Sequence, residues 1–248
     1  MKVVARRFHD RAGNNLFQYA HARAYAERIG AELQTDPWWG QEVFGLAEKR
    51  IAKDLPKVAD MDFEKWDGDW DVEITGWCLH QKCLIYSRAD VKDWLRFTDE
   101  VEDAVQFVES HEVAYHVRWG DFQGMHDFIA ISHDSYEKAI REHLPDFHHH
   151  ARMVCAWDSL RSTKLENAGL GWIPDFVALM RAKNHFRANS TFSWWAAVLG
   201  QNERVFAPNL EGITPQANIF QRAPFVSGNW PAISCFHPNC SNLYLRET

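Results

Sequence analysis

The sequence predicts an α/β protein of two domains, each built on a parallel sheet. Three observations carry this. Short β-branched and aromatic runs alternate with helical stretches along most of the chain. The alternation restarts near Ser110, where EVAYHVRWGD (Glu112 to Asp121) opens a second series. Finally, 248 residues, 46% of them hydrophobic, suffice to bury a core in each half. The expected domains are 1–110 and 111–248, joined without a flexible linker and ending in an irregular tail from about Asn209.

Lys2 to Phe8, KVVARRF, has the β-branched content of a first strand. Arg11 to Asn15 then reads as a loop and Leu16 to Ile29 as a helix. Leu16, Phe17, Ala20 and Ala24 follow a helical period there, and Gly30 stops it. Ala31 to Thr35 makes a second strand. Nucleotide-binding domains open with this strand–loop–helix–strand order. The loop has one glycine in place of GxGxxG, so a dinucleotide cofactor is not indicated, and by spacing alone Gly13 is a turn glycine.

Asp36 to Gly45 reads as a loop carrying Trp38 and Trp39, followed to about Trp70 by an irregular, acidic stretch. Asp60-Met61-Asp62 and Asp67-Gly68-Asp69 have the outline of a metal-binding DxD. No apolar strand leads into either, and short acidic doublets are normally solvated, so both are read as exposed charge. Asp71 to Trp77 is a strand; Gln81 to Phe97 and Glu100 to Glu109 are helices.

In the second half Val113, Tyr115 and Val117 alternate with Ala114, His116 and Arg118, a period of two that puts His116 and Arg118 on one face of a strand. Gly120 turns the chain. An arginine at the carboxyl end of such a strand stands where open α/β sheets bind ligands, and its planar fork suits a diphosphate. Pairing with Asp121 across the turn is the alternative. Gly124 to Ile131 is a loop holding His126 and Asp127. Ser132 or Asp134 caps a helix with Tyr136, Ala139, Ile140 and Leu144 on its apolar face, ended by Pro145. The side chains of His148, His149 and His150 diverge and make a poor chelate, hence an exposed turn. Ala151 to Ala156 is a strand running into Trp157-Asp158-Ser159. Pro174 opens a helix, and His185 to Ala188 and Arg204 to Pro208 are strands. Between these two strands Asn189-Ser190-Thr191-Phe192 leads into an apolar helix ended by Gly200. Ser190 or Thr191 serves as N-cap, and the helix start also offers N–H groups and a positive dipole end to an anion.

A net charge of −7 without a basic block argues against nucleic acid and anionic membrane surfaces as partners. No run of about 18 apolar residues is present and the N-terminus lacks the apolar core of a signal peptide, so a soluble, cytoplasmic protein is expected. Five cysteines do not make a disulfide framework. Cys78 and Cys83 repeat the spacing of Cys235 and Cys240, but zinc pairs sit closer together, and reduced thiols are the default. The 12 tryptophans read first as core, with sugar stacking the alternative.

Three segments, RAGNNLFQYA (Arg11 to Ala20), HVRWGD (His116 to Asp121) and ANSTFSWWAA (Ala188 to Ala197), together resemble the α-1,2-fucosyltransferases of glycosyltransferase family 11. ITGWCLHQK (Ile74 to Lys82) and DFVALMRAKNHFRANSTFSWW (Asp175 to Trp195) extend the resemblance, which runs in order from about Arg11 to Pro208. It implies a GT-B fold of two facing Rossmann-like domains, the first on the acceptor side and the second holding the donor. It further implies GDP-fucose as donor, inversion at the sugar carbon, and no essential metal or other cofactor. The HxR motif of related enzymes contacts the donor diphosphate and carries over to His116 and Arg118. Their first-loop asparagine, near the reacting centre, matches Asn14, with Arg11 and Gly13 beside it. The donor-lining segment matches Asn189, Ser190, Thr191 and Phe192. Asp158, in AWDS, matches an SDD-like end and would contact guanine or ribose. Asn15 stands where the family usually has glutamine, a departure that would shift acceptor specificity.

On this reading Arg118, helped by His116 and the helix start, replaces the metal ion of other transferases in holding the departing diphosphate. Candidates for a base on the acceptor hydroxyl are Asp121, Asp127 and His126, with Asp121 also suited to locking its loop. The acceptor would be a glycan hydroxyl, the 2-OH of a terminal galactose under the family resemblance. The alternatives are another nucleotide sugar on the same scaffold, or a glycan- or nucleotide-binding relative without turnover.

Overall fold

The computed structural model describes residues 2–60, 62–65, 69–118, 129–155, 163–210, 213 and 222–227. The chain divides between Glu102 and Asp103 into two compact units. Both are α/β with parallel sheets, the class the alternation of strands and helices predicts.

The first unit holds β1 (Val3–Arg6), α1 (Ala12–Ile29), β2 (Glu32–Thr35), α2 (Trp39–Phe44), β3 (Lys49–Arg50), β4 (Lys57–Ala59), β5 (Val72–Thr75), α3 (Arg88–Trp94) and the start of α4 (Asp99–Ala104). Its sheet runs β3-β2-β1-β5-β4 with every described pairing parallel. Strands buried on both faces are mostly apolar. Val4, Ala5, Val72 and Ile74 meet that demand at the centre of the sheet. Helix α1 is buried around most of its girth, through Leu16, Phe17, Tyr19, Ala20 and Tyr25. Gly30 ends it in the left-handed conformation, φ 65°, which a side chain would resist.

Three expectations change here. Helix α1 begins at Ala12, not Leu16, with Arg11 as N-cap and the Asn15 amide donating to the Arg11 carbonyl. Gly13 is therefore a buried helical residue and not a turn glycine. The stretch from Asp36 to Trp70 contains α2 and the two edge strands β3 and β4, each too short to show a period. The single helix expected over Gln81 to Phe97 is a 3₁₀ turn at Gln81–Cys83 followed by α3. Ser87 begins α3 through a reciprocal capping box with Asp90.

The second unit holds the end of α4, β6 (Val113–His116), α5 (His133–His143), β7 (Arg152–Val154), α6 (Thr163–Asn167), α7 (Ile173–Arg181), β8 (Asn184–Phe186), α8 (Thr191–Leu199), β9 (Arg204–Pro208) and β10 (Phe225–Ser227). The sheet order is β10-β9-β8-β6-β7, parallel except for β10, which runs antiparallel to β9 at the edge. The tail read as irregular from Asn209 thus supplies a strand. Phe225 anchors it by packing on Tyr136 at 5.0 Å and Phe186 at 5.8 Å.

One side of this sheet is filled by Tyr115, Phe186 and Phe206 with Tyr136, Ala139 and Ile140 of α5. Helices α7 and α8 are also buried along most of their length, and Trp194 and Trp195 are wholly enclosed. These two tryptophans are core. The His148–His150 run is exposed, as expected.

Candidate functional site

In an open α/β sheet ligands bind outside the carboxyl ends of the strands, where the order of winding reverses. In the second unit that point lies between β6 and β8: the chain leaves β6 for β7 on one side, then crosses back to β8 on the other. At the carboxyl end of β6 stand His116, Val117 and Arg118; beyond β8 come Arg187, Ala188, Asn189 and Ser190. The two segments singled out from the sequence therefore flank one switch point.

Register fixes their faces. Ala114 of β6 is level with His185 of β8, so His116 and His185 share a face of the sheet. Helix α8 covers it. The Ser193 hydroxyl sits 3.3 Å from the His185 Nε2 and accepts the Ala188 amide at 3.1 Å. The Phe192 ring lies 5.4 Å from the His116 imidazole and also touches Phe176 at 5.1 Å and Trp172 at 6.0 Å. Ser190 is the N-cap by backbone, yet its hydroxyl makes no capping bond, so the side-chain cap expected at Ser190 is absent. Thr191 is the first residue of the helix rather than its cap.

His116 is buried, and its Nδ1 has no hydrogen-bond partner among the described residues. The same holds for the Oδ1 of buried Asn189. These two polar atoms stand at the ends of neighbouring strands, where a polar ligand can meet them. Burial, and then the Arg118 cation, push the His116 pKa down to about 3. The imidazole is neutral at ordinary pH, able to donate or accept a hydrogen bond without adding charge. Arg118 is half-buried and supplies the charge.

Arg187 was not picked out from the sequence. It is 1% exposed and stands one residue past β8, its amide donating to the Phe206 carbonyl at 2.8 Å. Burial lowers its pKa to about 9, while Tyr136 opposes the shift. Desolvation, and then Arg187, hold the wholly buried His185 well below its ordinary pKa. The signal was available in HFRANSTF: an arginine two residues beyond His185 at the end of a short apolar strand.

The first unit has its own switch point, between β1 and β5. Buried Arg6 at the end of β1 donates from Nη1 to the Ile74 carbonyl at 2.8 Å and from Nη2 to the Gly76 carbonyl at 2.5 Å. After it, His9 has its amide accepted by the Gln18 Oε1 at 3.3 Å and its carbonyl bound by the Asn15 and Gln18 amides at 2.7 and 3.1 Å. Asp10 is left-handed, φ 73°, and its carboxylate accepts the Asn14 amide at 2.7 Å.

Asn15, whose place in the sequence suggested an influence on the acceptor, is buried. It spends its amide on the His9 carbonyl and its oxygen on the Trp39 indole at 3.0 Å. That is a structural part. Arg11 is exposed, Gly13 is buried and Asn14 is partly exposed, all in the first turn of α1 or at its cap.

Asp60 corrects the reading of its doublet as solvated charge. It is buried, and its carboxylate accepts the Cys78 amide at 2.5 Å. Asp69 of the other doublet pairs with Lys2 at 3.6 Å; Asp67 lies outside the described residues. Also outside them are Asp121, His126, Asp127, Asp158, Cys235 and Cys240. Cys78 and Cys83 are buried free thiols, and Cys155 is buried.

No protein-family profile and no protein of curated function matches the chain. Several solved structures do. The NodZ α-1,6-fucosyltransferase, in a crystal soaked with GDP-fucose, aligns with a TM-score of 0.55 and 14% identity over 92% of this chain and 99% of its own. A selenomethionine form of fucosyltransferase NodZ from Bradyrhizobium gives 0.55 and 13% over the same shares. FUT1 of Arabidopsis thaliana, as a mutant in complex with GDP, gives 0.56 and 13% over 90% of this chain and 73% of its own. At such identities the likeness is one of fold: this chain has the α/β fold found in fucosyltransferases. Among the described residues no helix is long and apolar enough to cross a membrane.

Proposed function

We propose that this chain is an inverting, metal-independent fucosyltransferase of the family 11 type, moving fucose from GDP-fucose to a glycan hydroxyl, the 2-OH of a terminal galactose. The observation that carries it is the convergence of His116 and Phe192 at one switch point, with open polar atoms on His116 and Asn189. The GDP-fucose and GDP of the NodZ and FUT1 crystals support this ligand class.

Breaking the bond from the fucosyl carbon to the β-phosphate oxygen leaves positive charge on the sugar ring and negative charge on GDP. Arg118 meets the growing negative charge. His116 stays neutral and donates one hydrogen bond to a phosphate oxygen. The first-turn amides of α8, which no helical carbonyl can reach, face the same way as the dipole. Donors fixed in advance need no reorganisation as charge develops, and one of them is worth about 3–4 kcal/mol of barrier. The acceptor oxygen attacks the opposite face of the sugar and loses its proton to Asp121, Asp127 or His126. Asn14, with Arg11, orients the reacting groups on the acceptor side, and Asp158 contacts the nucleoside.

Thermal-shift titration with GDP, UDP and ADP tests the nucleotide, and GDP-fucose turnover against galactose-terminated acceptors, with and without EDTA, tests the reaction. Stabilisation by GDP alone and EDTA-resistant transfer are expected. Preference for UDP, or activity lost to EDTA and restored by manganese, overturns the proposal.

A further inference from the structure

Trp77 is 54% exposed, although it lies only two residues past the buried strand β5 at the switch point of the first sheet. Exposed tryptophan is unusual, and here the backbone is arranged to keep it so. Gly76, with φ 95°, precedes it and Cys78, with φ 56°, follows it. A left-handed non-glycine residue is a strained one and persists only when its surroundings hold it there.

Those surroundings are on view. The Cys78 thiol is wholly buried, the Cys78 amide is fixed by the Asp60 carboxylate and the Gly76 carbonyl by Arg6. The chain is pinned on both sides of Trp77 while the indole is turned outward. Its neighbour is the His9 imidazole, 6.1 Å away between centroids. The His9 backbone is itself clamped by Asn15 and Gln18, and its ring nitrogen lies 3.5 Å from Arg6. One buried guanidinium thus braces both aromatic residues. Next to His9 in the chain is Asp10, left-handed and bonded to Asn14, with polar groups open to solvent.

A rigid apolar ring beside His9, with the exposed carboxylate and amide of Asp10 and Asn14 on the loop that follows His9, matches a pyranose, which presents a face of C–H groups and a rim of hydroxyls. Aromatic residues give such contacts at low entropic cost because few torsions must be fixed.

We propose that Trp77, with His9 beside it, is a preorganised stacking floor for a pyranose ring of the acceptor glycan, with Asp10 and Asn14 hydrogen-bonding its hydroxyls. This rests on the fucosyltransferase reading above, and the test separates the two. Wild type, Trp77→Ala and Trp77→Phe are compared on a printed glycan array without donor, by saturation-transfer NMR with N-acetyllactosamine, and by calorimetry with GDP. The Trp77→Ala protein is expected to lose array and NMR signal by tenfold or more, Trp77→Phe to retain about a third, and both to bind GDP within twofold of wild type. Glycan binding unchanged in Trp77→Ala, or absent from the wild type, overturns the stacking floor whatever GDP does. Failure of the wild type to bind GDP, with glycan binding lost on substitution, leaves the floor standing and removes the fucosyltransferase reading instead. Circular dichroism of each variant excludes misfolding as the cause.

Discussion

The imidazole of His116 and the phenyl ring of Phe192 lie 5.4 Å apart between centroids, one at the end of β6 and the other in the first turn of α8. Two segments distant in sequence are thereby locked into one wall. Phe192 also contacts Phe176 and Trp172, so the His116 ring leans on an aromatic cluster and not on a mobile side chain.

Phe192→Ala removes that support. Truncating a packed aromatic costs about 3 kcal/mol at a fully buried site and less at this half-buried one. Freed to turn, His116 no longer presents a fixed hydrogen bond. GDP affinity is expected to fall about tenfold by calorimetry, with a smaller loss of stability in urea. An unchanged Kd would show that His116 is positioned by other means.

Arg118 is half-buried, so its replacement should leave the fold intact. Arg118→Ala is expected to lower kcat by about 10²–10³, the cost of one preorganised donor to a developing charge. Arg118→Lys should recover only part of this, because a point charge cannot make the two parallel bonds of the guanidinium fork. Near-normal turnover in the alanine variant would remove Arg118 from the reaction.

The strands and helices that position this wall were legible in the sequence because each carries a clear period or punctuation. Val113 to Val117 alternates, Gly30 and Pro174 mark helix boundaries, and the Tyr136–Leu144 face repeats as a helix should. Elements of two or three residues, such as β3 and β10, carry no period, and tertiary pairing alone creates them. Gly13 was misplaced because a glycine between polar residues looks like a turn, whereas Arg11 and Asn15 already close the first helical bond. Buried arginine is rare and acidic residues are usually exposed, so neither Arg187 nor Asp60 stands out in the sequence. Both depart from the average only because folding surrounds them with groups distant in sequence.

Acid should destabilise this protein before its carboxylates titrate. His21, His116 and His185 are buried, and desolvation lowers each pKa, to about 4 for His21 and about 3 for His116. The unfolded chain binds these protons near pH 6.5 while the folded one refuses them. Stability is therefore unaffected above about pH 6.5 and falls as pH drops through the window down to the folded pKa values. For His21 alone the loss is about 3 kcal/mol by pH 4. Urea unfolding across pH 4–7.5 should show this slope, and His21→Phe should reduce it by about one proton. A flat profile would mean that all three rings titrate as they do in the unfolded chain.

Gly76 is poorly able to accept a side chain. A Cβ there would lie 2.4 Å from the Asp60 carboxyl carbon, and φ 95° disfavours any L-residue. Gly30 is the natural control, for it too is left-handed, φ 65°, but nothing lies within 4 Å of its missing Cβ. Gly30→Ala should cost about 1 kcal/mol from backbone conformation alone, and Gly76→Ala about 3 kcal/mol, the excess arising from the clash. Adding Asp60→Ala to Gly76→Ala relieves the clash, so the double variant should be more stable than the sum of its singles predicts. Strict additivity in urea titrations would show that the Asp60 carboxylate can move aside, and that the backbone around Trp77 is held less firmly than its hydrogen bonds to Asp60 and Arg6 imply.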